Sequence, residues 1–270
     1  MNRLMDQVVV VTGASGLLGR QHTLAVLEEG GKVVMLDVEP GKMDSFKLEL
    51  STDFAQRLLT YVCDIRDEMQ VRKIAKEVSE NFGTVTGLVN NAAINPSVEK
   101  NTGRFQRFET LSRESWTEEL DVGLWGSVVC SRVFGEIMLE SDLPCSIVNV
   151  SSDHGLIAPM QHLYRTEGKP ERDQPVKPVT YSVVKHGLIG LTRYLATYWA
   201  DKNIRVNALC PGGVENGQNS EFSERFKAVV PLGRFARPDE YKGALVYLLS
   251  NESSYMTGSV MVVDGGRSVW

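Results

Sequence analysis

Short apolar runs alternate along the chain with stretches whose apolar side chains recur at helical period. Residues 7–12 are mostly valine and close on a turn signal, which reads as a strand buried on both faces. The turn Gly13-Ala14-Ser15-Gly16-Leu17-Leu18-Gly19 follows, then a helical pattern through Leu24 and Leu27 that stops at Gly30-Gly31. Residues 32–37 form a second apolar strand ending in Asp37, and 41–58 read as helical in part. Further strands are expected at 59–63, closed by Asp64-Ile65, and at 85–89, closed by Asn90-Asn91-Ala92-Ala93, with a helix through Val71, Ile74, Ala75 and Val78 between them. A polar loop at 95–111 leads to a long helix capped by Ser112, a strand at 144–152 ending in Ser151-Ser152, and a helix carrying Tyr181. Strands at 204–209 and 259–263 flank a polar segment and a helix at 239–249. Unbroken alternation of buried strands and helices predicts an α/β fold: a doubly wound parallel sheet of about seven strands with helices on both faces.

The interruption is at 157–178, where Pro159, Pro170, Pro175 and Pro178 stand among seven charged residues. This segment reads as too polar for core and as an insertion in an otherwise single domain spanning 1–270. No internal repeat or linker divides the chain.

Composition narrows the function classes. A chain of 270 residues, 42% hydrophobic and 23% charged, can bury a large core, and its net charge of −5 lacks the basic excess of a nucleic-acid binder. Cys63, Cys130, Cys145 and Cys210 are scattered, with no metal-ligand spacing, and read as reduced, buried thiols of a cytoplasmic protein. The N-terminus has no signal-peptide shape, and no apolar run reads as long enough to cross a membrane. The expectation is a small-molecule substrate, with no nucleic acid, membrane or metal.

Two constellations carry chemistry. Strand, glycine turn, helix, strand, acid is the arrangement that binds a dinucleotide: glycines let the backbone approach a pyrophosphate at the helix N-terminus, and the acid accepts hydrogen bonds from ribose hydroxyls. Asp37 lies 24 residues beyond Gly13. A carboxylate there repels a 2′-phosphate and no lysine or arginine follows it directly, so NAD is expected over NADP. The second constellation is Tyr181 and Lys185, one turn apart on the face marked by Val184, Leu188, Leu191, Leu195 and Tyr198. An ammonium near a phenol favours the phenolate, so the pair suits acid–base work on a substrate oxygen. A strand-end hydroxyl completes it. Ser151 and Ser152 point to opposite faces, so one of them can face the site. No Gly-x-Ser-x-Gly elbow supports a hydrolase reading.

With these residues in order, the chain resembles the short-chain dehydrogenases/reductases from about residue 6 to residue 266. Thr12-Gly13 with its turn, Asp64, Asn90-Asn91-Ala92, Ser152, Tyr181-x-x-x-Lys185, Ile204-Arg205-Val206-Asn207, Pro211-Gly212 and Val263-Asp264-Gly265-Gly266 carry the resemblance. It implies a Rossmann-type domain that moves hydride between a nicotinamide and a carbonyl or alcohol carbon. Tyr181 would be the general acid or base, Lys185 would hold the nicotinamide ribose and lower the phenol pKa, and Ser152, selected by family spacing, would bind the substrate oxygen. Gly13, Ser15, Gly16, Leu18 and Gly19 would line the pyrophosphate turn; Asp37, Asp64, Ile65, Asn91, Ala92 and Val214 would meet the rest of the cofactor. A homodimer or homotetramer is also implied, through the helices at 112–138 and 181–200 and the last strand, with Trp125 and Trp199 as core or contact residues.

Three departures from the family pattern stand out. Leu17 occupies a usual glycine position, giving a spacing similar to atypical branches. Gly123 replaces the helical asparagine of the catalytic tetrad; its carbonyl remains to seat a water, so the proton relay is either kept or impaired. Twenty-nine residues separate Ser152 from Tyr181, about twice the usual interval. The surplus is either a substrate-reading element or a solvated loop, and Asp153-His154 either touches substrate or is structural. Residues 158–168 and 214–219 are similar to a branch associated with bacterial surface-polysaccharide and sialic-acid-like sugars. A polyol, sugar or sugar derivative is therefore expected, with a 3-oxoacyl thioester, or a cofactor-binding protein of muted chemistry, as alternatives.

Overall fold

The computed structural model describes residues 2–94 and 107–270. The loop expected at 95–111 lies largely outside the described residues. Valine-rich β1 (Val8–Thr12) is buried along its whole length, so neither face needs a polar residue. It pairs in parallel with β2 (Lys32–Asp37) on one side and β4 (Gly87–Asn90) on the other. With β3 (Leu58–Val62), β5 (Cys145–Val150), β6 (Ile204–Pro211) and β7 (Val260–Val263) they form one seven-stranded parallel sheet, ordered β3-β2-β1-β4-β5-β6-β7.

Helices cover both faces. One carries α4 (Glu68–Phe82), α6 (Gly126–Leu139) and α7 (Val179–Tyr198), which pack Val71, Phe134 and Leu195 on β4, β5 and β6. The other carries α1 (Leu17–Glu28), α2 (Pro40–Leu48) and α9 (Lys242–Leu249), with Val26, Phe46 and Leu245 inward. Each fully buried valine or leucine contributes roughly 1.5–3 kcal/mol. Short α3 (Thr52–Gln56) and α8 (Ser220–Ala228) lie outside these layers' central strands. Caps set the helix starts: Asp67 accepts from the backbone N–H groups of Met69 and Gln70, and Ser112 from that of Ser115 at the head of α5 (Arg113–Leu120).

Between α5 and α6 the helix widens into a π turn at Asp121–Trp125, so Arg113–Leu139 is helical over 27 residues. That helix is long and apolar enough to span a membrane, against the sequence expectation, but 56% of its most apolar window is buried in the fold. It is packed as a core helix.

The segment 157–178 corrects a second expectation. It is not wholly outside the core: Leu163 is buried and, with Met160 and Tyr164, packs on Phe222, Phe226, Val230 and Phe235. Apolar residues spaced irregularly among prolines gave no periodic signal, yet one short 3-10 turn, Gln161–Tyr164, suffices to bury them.

The chain steps from β1 to β2 to β3 on one side of the sheet, then crosses to β4 and proceeds the other way. This switch opens a crevice at the carboxyl ends of β1 and β4. Gly13, just beyond β1, has φ +60°, and a Cβ there would lie 2.7 Å from the Cα of Ala92, just beyond β4. Only glycine allows both the left-handed backbone and that approach.

Candidate active site

A cavity of about 780 Å³ runs along these strand ends, from Asp37 at one extreme to Arg267 at the other. Its floor at the β1 end is the glycine turn. Gly16 caps α1 in extended conformation, and Gly19 passes so close beneath Gly13 that a Cβ would lie 2.2 Å from the Gly13 carbonyl oxygen. Leu17 sits at the first helical position, lining the cavity and 40% exposed, so the turn closes without a glycine there. Unpaired N–H groups at the start of α1 and the glycine cradle fit a pyrophosphate.

The predicted cofactor residues are brought together. Gly13, Ser15, Gly16, Leu18, Asp37, Asp64, Ile65, Asn91, Ala92 and Val214 all line the cavity. Gly19 lies beneath it, buried. Asp37 accepts from the backbone N–H of Ser15 at 2.8 Å and of Glu39 at 3.1 Å, which fixes its carboxylate at the mouth of the turn. Asp64 is gripped by the Arg66 side chain, at 2.6 Å from Nη2, and that pairing holds its carboxyl below its usual range. Asn91 braces the crevice: its Nδ2 donates to the carbonyls of Thr12 and Gly13 at 3.0 and 3.1 Å.

At the other end, α7 presents Tyr181 and Lys185. Lys185 Nζ donates to the Val150 carbonyl at 2.7 Å, tying the helix to the end of β5, and lies 5.6 Å from the Tyr181 ring centroid. Ser151 donates to the Lys185 carbonyl at 2.7 Å and is thereby a brace between β5 and α7. Ser152 is the hydroxyl beside Tyr181, and hydrogen bonding between them favours the phenolate. Burial outweighs that influence and pushes the Tyr181 phenol up to about 12, while burial pulls Lys185 down to about 8. The expectation of a lowered tyrosine pKa is thus not met in this state, because removing a phenolate from water costs more than its neighbours return. In the tetrad position, Gly123 lies in the π turn, its carbonyl accepting from the Ser127 hydroxyl at 3.0 Å. A Cβ on Gly123 would come within 2.5 Å of Val184 Cγ1.

Lys177, Arg267 and the aromatic wall had no usable sequence signal, and Asp153-His154 had one that left its role open. Lys177 stands four residues before Tyr181, but Pro178 breaks the helical pattern between them; its Nζ lies 3.8 Å over the Tyr181 ring and burial lowers it to about 8. Asp153 is a hub. Its Oδ1 accepts from the Ser152 hydroxyl at 2.8 Å and faces His154 Nδ1 at 2.9 Å, and its Oδ2 accepts from Arg267. Burial works against its charge, but His154, Arg267 and Ser152 hold the carboxyl well below the usual range. Arg267 is 114 residues away in sequence, just past the last motif considered. Tyr164, Phe222, Phe226 and Phe235 complete the wall, Phe226 and Phe235 stacked at 4.3 Å. Trp199 is core against Gly135, whereas Trp125 is 45% exposed. His186 is exposed on the outer face of α7. Among the described residues no cluster of His, Cys, Asp or Glu could hold a metal, and the four cysteines are buried and unpaired.

Known proteins show the same organisation. Residues 7–166 match the family described as short chain dehydrogenase, and 171–268 match one described as Enoyl-(Acyl carrier protein) reductase. The chain is 31% identical over 268 residues to a 3-oxoacyl-(acyl-carrier-protein) reductase of Thermotoga maritima, covering 98% of each chain. It is 29% identical to a D-threitol dehydrogenase of Mycolicibacterium smegmatis, covering 99% of this chain and 95% of that one. A short chain dehydrogenase from Leptospira borgpetersenii, solved with bound NAD+, superposes with a TM-score of 0.84 at 27% identity, over 98% of this chain and 94% of that one. With a seven-stranded parallel sheet, a glycine cradle at its switch point and the Tyr181/Lys185 helix beside it, the chain is a member of the short-chain dehydrogenase/reductase family, oxidoreductases of alcohols and ketones.

Proposed function

We propose that the protein is an NAD-dependent oxidoreductase of a secondary alcohol or ketone, its substrate a polyol, sugar or sugar derivative. The observation that carries this reading is the convergence of Ser152, Tyr181 and Lys185 on the cavity that begins at the glycine turn. Hydride exchange at carbon is the chemistry a bound nicotinamide supplies. In ketone reduction the oxygen becomes negative; Ser152, its hydroxyl turned from Asp153 to that oxygen, steadies it, and the neutral Tyr181 phenol gives it a proton. Lys185, anchored on Val150, keeps a positive charge near that phenol and offers donors to a ribose. Asp37, Asp64, Ile65, Asn91, Ala92 and Val214, which line the cavity, would hold the rest of the cofactor.

NAD over NADP is supported by the Asp37 carboxylate at the end of β2, where a 2′-phosphate would meet a negative charge. The polyol reading is supported by polar groups of the wall, and by the name of the D-threitol relative. Thioester reduction, the activity named for the Thermotoga relative, is the second reading. A cytoplasmic location is supported by four unpaired thiols, and a dimer or tetramer by the exposed, stacked Tyr194 and Tyr198 on α7. A monomeric mass by light scattering would dispose of the oligomer.

The test is Tyr181→Phe. Turnover with alcohols or ketones should fall by about 10²–10⁴ while NADH binding persists; undiminished turnover would overturn the mechanism.

A further inference from the structure

Ser152 does not stand alone at the end of β5. Its hydroxyl donates to Asp153 Oδ1 at 2.8 Å, and its Oγ accepts from the backbone N–H of His154 at 3.2 Å, capping the short 3-10 turn Asp153–Gly155. The carboxylate is shared more widely. Oδ1 also accepts from the His154 backbone N–H at 2.8 Å and faces Nδ1 of the same residue at 2.9 Å, while Oδ2 accepts from Arg267 Nη1 across 114 residues of sequence. An ionised carboxylate only accepts, so His154 Nδ1 carries a proton. All four residues are buried, Arg267 at 1% exposure.

Stability alone gives little reason for this arrangement. Taking a guanidinium and a carboxylate out of water costs about what their attraction returns, and an apolar pair of similar volume is often as stable. The Arg267 side chain makes one hydrogen bond among the described residues, and it falls on the carboxylate that holds the Ser152 proton. In ketone reduction that proton is needed at the substrate oxygen as it becomes negative. A carboxylate with no other donor would compete for it, since hydrogen bonds to an ionised acceptor are roughly twice as strong as neutral ones. Asp153 competes less: when the hydroxyl leaves, both N–H groups of His154 and one of Arg267 remain on it. The His154 backbone N–H also keeps Oγ in place, so only the hydrogen swings.

We propose that Asp153 and Arg267 are positioning residues for Ser152. Asp153 orients the hydroxyl before substrate arrives, and Arg267, by occupying Oδ2, lets that hydroxyl turn to the substrate oxygen in the transition state. Both act through Ser152, and no covalent bond changes at either. This rests on the oxidoreductase reading above, in which Ser152 steadies that oxygen.

The experiment is a double-mutant cycle in steady-state kinetics, with D-threitol and glycerol as probes for oxidation by NAD+ and an acetoacetyl thioester for reduction by NADH. Ser152→Ala should lower kcat by about 10²–10³. Arg267→Met should lower kcat by about tenfold or more and leave KM and NADH affinity within about twofold, because Ser152 acts on charge that develops only in the transition state. In the Ser152→Ala chain, Arg267→Met should cost less than about twofold further, since the residue it acts through is gone. Arg267→Lys keeps a charged donor for Oδ2 and should restore most of the loss. If Arg267→Met does not fold by circular dichroism, Asp153→Leu with Arg267→Met replaces it, leaving no lone buried charge; a folded protein of low kcat upholds the proposal, and recovered turnover marks the pair as merely structural. Losses that add in the Ser152→Ala chain, or wild-type kcat in Arg267→Met beside a damaged Ser152→Ala, would overturn the proposal and leave the oxidoreductase reading intact. Ser152→Ala that matches wild type, or wild type that turns over none of the probes, would remove that reading and this proposal together.

Discussion

Lys177 Nζ lies 3.8 Å from the centroid of the Tyr181 ring, closer than Lys185 Nζ at 5.6 Å. The phenol therefore has two ammonium groups around it, one from the family's helix and one from the segment before it. Both are lowered by burial to about 8, and Tyr181 is raised to about 12. Below pH 8 the phenol is protonated and both cations are charged, the state suited to donating a proton in reduction. As pH rises through about 8 the ammonium charges are lost, and kcat/KM for ketone reduction should fall. A pH–rate profile checks this, and Lys177→Met should change the alkaline limb without abolishing turnover. A profile flat to pH 10 would contradict the assignment.

Asp37→Ala should relax cofactor choice. Wild-type protein should bind NADH more tightly than NADPH by tenfold or more, equivalent to at least about 1.4 kcal/mol. The variant should narrow that ratio, chiefly by improved NADPH binding. Fluorescence titration of each nucleotide reads both constants; failure of both nucleotides to bind would remove the whole enzymatic reading.

Restoring an asparagine at Gly123 should harm rather than help. Its Cβ would lie 2.5 Å from Val184 Cγ1, an overlap costing roughly 1–3 kcal/mol unless α7 shifts. Urea denaturation should show the loss, and Val184→Ala in the same chain should recover part of it. A more stable and more active Gly123→Asn would show that the π turn is pliable.

His22 is completely buried on α1, its two ring nitrogens lack partners among the described residues, and burial lowers it to about 4. The unfolded chain, with an ordinary histidine near 6.5, then binds more protons between pH 4 and 6.5, so stability falls as pH drops through that window. The full loss is of order 3 kcal/mol at pH 4. Thermal melts from pH 7 to 4 measure it, and His22→Leu should flatten the decline. An unchanged slope in that variant would assign the acid sensitivity elsewhere.

How much was legible in the sequence follows physical lines. Local order was: valine runs dictate strands, helical periodicity dictates helices, and a glycine turn between two buried strands dictates a crevice, so β1, β2 and the placement of Asp37, Asp64 and Asn91 could be read directly. Tyr181 and Lys185 were legible because both lie on one helix, four residues apart. What the sequence by itself determined is this doubly wound sheet and the glycine-turn end of its cavity, where Gly13 and Asp37 lie within one βαβ unit. Tertiary structure alone decided the surroundings of Tyr181 at the other end. Lys177 is cut off from Tyr181 by Pro178, Leu163 is buried by a segment of polar composition, and Arg267 meets Asp153 across 114 residues. The fall in the Tyr181 expectation has the same origin, since burial depends on the whole assembly of β5, α7 and the residues around them, and no spacing along the chain records it.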